Sequence, residues 1–138
     1  MKNEFDYLLD SDVLVGRFFP DDPHNQNARN MFEVLEDKRK SLVTTSLVVV
    51  ETATVLSHKA SQALAIKFLQ FVNRGNMPII HINEGLQQAA LKTFARQTKK
   101  GTSVVDCSNV TVMQKFNIPA IVSFDKVYKK RFGLKVFC

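Results

Sequence analysis

Tryptophan is missing from this chain, and cysteine, proline and glycine are scarce, at two, four and five residues among 138. The two cysteines, Cys107 and Cys138, support neither a zinc motif nor a disulfide framework. Cys107 lies in an apolar stretch, as a small core residue would, and Cys138 reads as a tail thiol. His24, His58 and His81 show no metal-ligand spacing and no partner for nucleophilic catalysis. No apolar run approaches the ~20 residues that cross a bilayer. Met1 to Asp10 carries acids where a signal peptide has a basic region, so the expectation is an intact cytoplasmic protein. Internal repeats, low-complexity tracts and Gly/Ser linkers are also lacking. The chain therefore reads as one domain over residues 1–138, with room for a single sizeable core.

What is present fits a folded, soluble domain. Hydrophobic residues make up 45% and charged residues 23%, which excludes disorder and collagen-like structure. The formal net charge is +6 and the pI is near 9.5, a balance that favours an anionic partner, either nucleic acid or an acidic protein segment.

Along the chain, Phe5–Leu9 reads as a first strand ending at Asp10. Asp21-Asp22-Pro23 resembles a helix start, because Asp caps and Pro suits the first turn. Ala28, Met31, Phe32 and Leu35 then recur at helical spacing between Asn27 and Lys40. Leu42–Thr44 begins a second strand. The β-branched run that follows could continue it by propensity alone. The preferred reading caps a helix at Thr45 or Ser46, with a stripe of Val48, Glu51 and Val55. Ser61 to Arg74 is amphipathic through Leu64, Phe68, Phe71 and Val72. Pro78–Ile82 is a third strand, and Glu84 to Gln97 a helix with Leu86, Ala89, Ala90 and Phe94 inward. Ser103 to Phe116 reads as a helix and Ala120–Phe124 as a strand. Lys126–Phe132 is a helical turn or two, and Leu134–Phe137 an edge strand. Strands alternating with helices imply an α/β fold with a parallel sheet covered on both faces. Chemistry in such sheets lies beyond the carboxyl ends of the strands.

Four of the 13 acids each follow an apolar run, namely Asp10, Glu51, Asp106 and Asp125. Asp10 and Asp125 terminate strands, while Glu51 and Asp106 fall in early turns of helices leaving the same end of the sheet, so all four can converge. Carboxylates crowded in a partly dry cleft repel one another. A divalent cation removes that conflict, and an oxygen-only donor set without His or Cys favours Mg²⁺ or Mn²⁺ over zinc. Metal held this way suits cleavage of a nucleic-acid backbone. Plainer readings stand beside these. Asp10 is also a polar strand end, with Asp12 competing as the acid that counts. Glu51 can belong to a solvated helix face. Ser103-x-x-Asp106 matches a capping box, and Asp125-Lys126 matches a helix start.

These segments carry a resemblance. Leu8-Leu9-Asp10-Ser11-Asp12 looks like the opening of PIN domains, with Asp12 where Asn is usual. Val48-Val49-Val50-Glu51, Ser103-Val104-Val105-Asp106-Cys107 and Ile121-Val122-Ser123-Phe124-Asp125-Lys126 resemble the family's second, third and fourth acidic motifs, with Ser123 where Thr is commoner. Order, spacing and length resemble VapC-type toxins over nearly the whole chain. The resemblance implies a three-layer α/β/α fold around a five-stranded parallel sheet. It also implies a Mg²⁺- or Mn²⁺-dependent endoribonuclease that uses an activated water and leaves a 5′-phosphate and a 3′-hydroxyl. The partners it implies are RNA, a second copy in a homodimer, and an antitoxin protein. It makes Asp10 and Asp106 the direct metal ligands. Glu51 would complete the site, and Asp125 would hold a second metal or an outer-shell water.

Lys38-Arg39-Lys40, Lys99-Lys100 and Lys126…Lys129-Lys130-Arg131 read as solvated faces, though the last lies close enough to Asp125 to hold RNA phosphates. His24 reads as a loop residue. One rival is a phosphorylatable receiver, but His81-Ile82-Asn83 after the third strand offers no acceptor Asp. Another is a PIN-like RNA- or protein-binding module without catalysis.

Overall fold

The computed structural model describes residues 4–138. Met1–Asn3, the start of the acidic N-terminal stretch, lie outside the described residues.

Strand β1 (Tyr7–Leu9) runs into helix α1 (Ser11–Phe18). Helix α1 has no counterpart among the elements expected from the sequence, where the first strand is followed by the helix start at Asp21. Its apolar part, Val13-Leu14-Val15, is too short to display a period, and its start is set by Asp10, whose side chain accepts the Ser11 N–H. Gly16 on α1 faces α2, where an added Cβ would lie 3.2 Å from the Ala28 Cβ, so the two helices pack at short range. Helix α2 (Asn25–Asp37) starts later than the Asp-Pro pair suggests. Asp22 accepts the His24 N–H at 2.8 Å and so makes a turn that delivers the chain to the helix, rather than capping it.

The remaining elements follow the expected alternation. They are β2 (Leu42–Thr45), α3 (Ser46–Lys59), α4 (Gln62–Asn73), β3 (Ile79–Ile80), α5 (Glu84–Ala95), α6 (Val104–Phe116), β4 (Ala120–Val122), α7 (Val127–Phe132) and β5 (Lys135–Phe137). Thr45 resolves the ambiguous β-branched run, because its hydroxyl accepts the Val48 N–H and turns the strand into α3. The buried stripe of α3 is Val48, Thr52 and Leu56, which leaves Glu51 half-buried beside it. On α5, Leu86 and Ala90 are buried against α6 but Phe94 is 41% exposed, contrary to its expected inward position. Phe94 sits in the last full turn of α5 and is not among the side chains packed on either core.

The five strands are all parallel, in the order β3-β2-β1-β4-β5. Successive side chains of a strand point to opposite faces, and β1 divides the core accordingly. Leu9 packs with Val13, Leu35, Val48 and Phe68 beneath α1–α4. Leu8 packs with Val43, Val110, Ile121 and Tyr128 beneath α5–α7. The result is a three-layer α/β/α sandwich with β1 central, and the loops after β1, β2 and β4 leave from one end.

Candidate active site

Asp10 leaves the central strand and is 4% exposed. Its backbone N–H continues the ladder to Val122 O of β4, which fixes the carboxylate between two strand ends. Both oxygens are fully engaged. Oδ1 accepts the Ser11 N–H at 2.8 Å and the Asn109 amide at 3.2 Å. Oδ2 accepts the hydroxyls of Ser123 at 2.8 Å and Tyr128 at 3.0 Å. Burial raises its pKa from 3.8 to about 6; the hydrogen bonds oppose that rise and the Asp106 charge adds to it.

Asp106 sits in the first turn of α6 and serves two roles. Its Oδ2 accepts the Ser103 N–H at 3.0 Å while Ser103 Oγ accepts the Asp106 N–H at 2.9 Å, a complete capping box. Its Oδ1 receives the Tyr128 hydroxyl at 3.1 Å. The plainer reading of Ser103-x-x-Asp106 is therefore correct, and it aims the other carboxylate oxygen at the site. A phenol has one proton, so Tyr128 donates to Asp10 or Asp106 at any instant and accepts from Asn109 at 3.0 Å. Burial first, and then the two carboxylates, push the Tyr128 pKa above its usual range, so the hydroxyl stays a donor.

Asp12, on the first turn of α1, accepts the Phe124 N–H at 3.0 Å. Burial first and the charge of Asp10 second raise it to about 7. Glu51 reaches the site through Ser11, whose hydroxyl donates to Oε2 at 2.6 Å. Asp125 is exposed, and its carboxylate accepts the Val127 N–H at 2.9 Å at the start of α7. Its own N–H donates to Ser123 Oγ at 3.0 Å, so Ser123 joins Asp10 to the fourth acid.

The structure thus brings Asp10, Asp12 and Asp106 into one hydrogen-bonded group, ties Glu51 to its edge, and leaves Asp125 outward. Among the described residues no three His, Cys, Asp or Glu side chains stand close enough together to hold a metal ion as they lie. The donor chemistry nonetheless fits a hard divalent cation. The acids are oxygen-only, and Asp10 is desolvated beside a second carboxylate. The amide Oδ1 of Asn109 is buried next to them without a partner among the described residues. Sequence reading missed Asn109 and Tyr128. Asn109 stands three residues after Asp106, hence on the same helix face, and that spacing was the one available clue.

Two cavities flank the acids. One of about 240 Å³ is lined by Ser11, Asp12, His24, Glu51 and Lys59. The other, about 620 Å³, is lined by Ser123, Phe124, Asp125, Lys126, Lys129 and Lys130, among others. Between them the rings of His24 and Phe124 stack at 4.2 Å with planes 15° apart.

Several solved structures share this fold. VapC20 of Mycobacterium tuberculosis, a sarcin-ricin loop cleaving toxin, aligns with a TM-score of 0.79 at 18% identity, over 89% of this chain and 92% of its own. VapBC2 of Rickettsia felis, bound to a DNA fragment from its promoter, gives 0.68 at 17% identity, over 95% and 96%. A toxin–antitoxin complex from Klebsiella pneumoniae gives 0.64 at 11% identity, over 96% of each chain. No curated protein matches the sequence. The PIN domain family model matches residues 7–132, nearly the whole chain and all four acidic motifs. This chain belongs to the PIN domain family.

Proposed function

We propose that the protein is a Mg²⁺- or Mn²⁺-dependent endoribonuclease and the toxin of a toxin–antitoxin pair. The observation that carries the reading is the junction of Asp10 and Asp106 on one Tyr128 hydroxyl at the carboxyl end of the sheet, with Glu51 held alongside by Ser11. Asp10 and Asp106 would hold the cation, Glu51 would complete its shell, and Asp125 would act from the rim. Bound there, a divalent cation supplies an acidified water and neutralises charge on a phosphoryl group. The chain's own contribution is to keep Asp10 dry and oriented, to keep Asp106 aimed through its capping box, and to present lysines beside the acids. Net charge of +6 draws the anionic backbone towards the molecule.

The receiver alternative also conflicts with topology, since this sheet runs 3-2-1-4-5 whereas receivers run 2-1-3-4-5. The binding-module alternative predicts affinity for RNA without cleavage.

Support for an antitoxin comes from a groove of about 280 Å³ between α3 and α4, where Ala53, Ala65, Ile66 and Leu69 offer an apolar floor. A partner helix would fill it while an Arg or Lys from its tail met the acids in the cation's place. We place the protein's action in the cytoplasm as a homodimer. Consistent with that setting, no helix among the described residues is long and apolar enough to cross a membrane.

The test is melting temperature with and without millimolar Mn²⁺, together with cleavage of RNA. A cation that binds only the folded state raises the melting temperature by mass action, and Asp10→Asn should abolish both the rise and the cleavage. An equal rise in wild type and variant would overturn the assignment of Asp10. RNA binding without cleavage at any Mn²⁺ concentration would favour the binding module.

A further inference from the structure

We propose that the larger cavity, walled by Phe124, Val136 and the lysines of α7, seats one nucleotide of single-stranded RNA beside the bond to be cut. This rests on the ribonuclease reading and adds the place where substrate is held. The volume of about 620 Å³ falls in the about 300–1,000 Å³ range of small-ligand sites. The lining is of two kinds. Phe124 and Val136 give an aromatic and an aliphatic surface, while Lys126, Lys129 and Lys130 give cations. Spacing of three and four residues puts these lysines on one side of α7. The opposite side, Val127 and Tyr128, is buried against the sheet and the acids.

Position ties this cavity to the acids. Ser123 and Asp125 form part of its wall, and Ser123 Oγ is the donor to Asp10 Oδ2. A phosphate beside the cavity is repelled by the carboxylates and attracted by the lysines, so it settles on the α7 side and leaves the base to Phe124. The Phe124 backbone is fixed by its N–H bond to Asp12 and its ring by the stack on His24, so little order is lost when a base meets it. Unstacked bases on aromatic rings, with lysines along the backbone, is how single strands are bound. An acidic peptide would satisfy the lysines but gain nothing from Phe124.

The experiment measures binding of a short fluorescent oligouridylate in EDTA, which stops cleavage, across a range of salt. Lys129→Ala and Lys130→Ala should each lower the slope of log affinity against log salt by about 0.7. Lys38→Ala, at the opposite end of β2, should leave it unchanged. Phe124→Leu should weaken binding about tenfold with the slope intact, and Phe124→Trp should restore it. Melting curves check that each variant is folded. Cys138 lines the cavity and is exposed while Cys107 is buried, so bound oligonucleotide should also protect Cys138 from alkylation.

Unchanged slopes in the lysine variants overturn the proposal even if cleavage in Mn²⁺ is intact, which would leave the ribonuclease reading standing. Expected slopes with no cleavage at any Mn²⁺ concentration support the cavity and overturn the ribonuclease. Polyglutamate that displaces the oligonucleotide and shows the same dependence on Phe124 would assign the cavity to an acidic peptide and overturn the proposal.

Discussion

Asp10 follows β1 and Asp125 follows β4, neighbouring strands of one sheet, yet their carboxylates live in different solvents. Asp10 is 4% exposed with four donors on its two oxygens. Asp125 is exposed and accepts from the N–H of Val127 two residues on. The buried acid is part of the packing, so its loss is felt in folding and in chemistry alike. The outer acid is held by local chain geometry and can be changed with the fold intact. A site built from both kinds has a preorganised floor and an adjustable rim.

The largest effect expected from this contrast is in Asp10→Ala. Removing the carboxylate strands the Ser11 N–H and the Asn109 amide, and each buried donor left unmet costs about 1–3 kcal/mol. Water entering the space offsets part of this, so a net loss of about 3 kcal/mol is expected in urea unfolding. Asp10→Asn should cost under about 1 kcal/mol. The two hydroxyls on Oδ2 can rotate, Ser123 towards Asp12 and Tyr128 towards Asp106, and accept from the new amide. If both variants lose equal stability, Asp10 is not held by the rotatable donors described here.

Tyr128→Phe comes next, at about 1–1.5 kcal/mol for one buried hydroxyl bonded on both sides. It carries a second, opposite signature. Without the bridging proton, Asp10 and Asp106 repel each other more strongly, so the rise in melting temperature produced by Mn²⁺ should exceed that of wild type. A smaller rise would mean that Tyr128 organises the acids for the cation rather than standing in its place.

How much of this contrast was legible follows from where each contact lies in the chain. The acids themselves were visible because each ends an apolar run, and the alternation of strand and helix located their common end of the sheet. Ser103-x-x-Asp106 was legible as a cap because a capping box is local. The buried half was not legible, since Asp10 meets Asn109 and Tyr128 only after β4 and α7 pack against β1. Tyr128 was further hidden among Lys126, Lys129 and Lys130 in a helix of six residues, too short for a period to emerge. Helix α1 was lost for the same reason. The difference in exposure between Asp10 and Asp125 is likewise tertiary, because both follow an apolar strand and look alike in sequence.

Asp12 lies between the two extremes and provides a pH test. Its folded pKa of about 7 exceeds the ordinary 3.8, so the folded state binds its proton more tightly than the unfolded chain does. The associated stability is complete below about pH 4 and is lost as pH rises to about 7. Asp12→Asn cannot titrate, while its amide oxygen still accepts the Phe124 N–H. Stability of the variant minus that of wild type, measured without divalent cation, should increase by about 3 kcal/mol between pH 4 and 7 and then level off. A flat difference would show that Asp12 is well solvated and belongs with the rim.

The smallest effect on folding is expected at Asp125, and it is the most informative about function. Asp125→Asn keeps an oxygen for the Val127 N–H and leaves the bond from its own N–H to Ser123 untouched. Exposed substitutions of this kind stay within about 0.5 kcal/mol, so urea midpoints should coincide with wild type. Cleavage of RNA in Mn²⁺ should still fall by about tenfold or more, because a rim carboxylate that orients water or a second cation contributes only while ionised. Raising Mn²⁺ separates these two roles. If Asp125 helps hold a cation, excess Mn²⁺ recovers part of the lost rate; if it orients water, the deficit persists at saturation. Intact folding with intact cleavage would instead confine the chemistry to the buried acids and Glu51, and would make Asp125 no more than the turn that leads into α7.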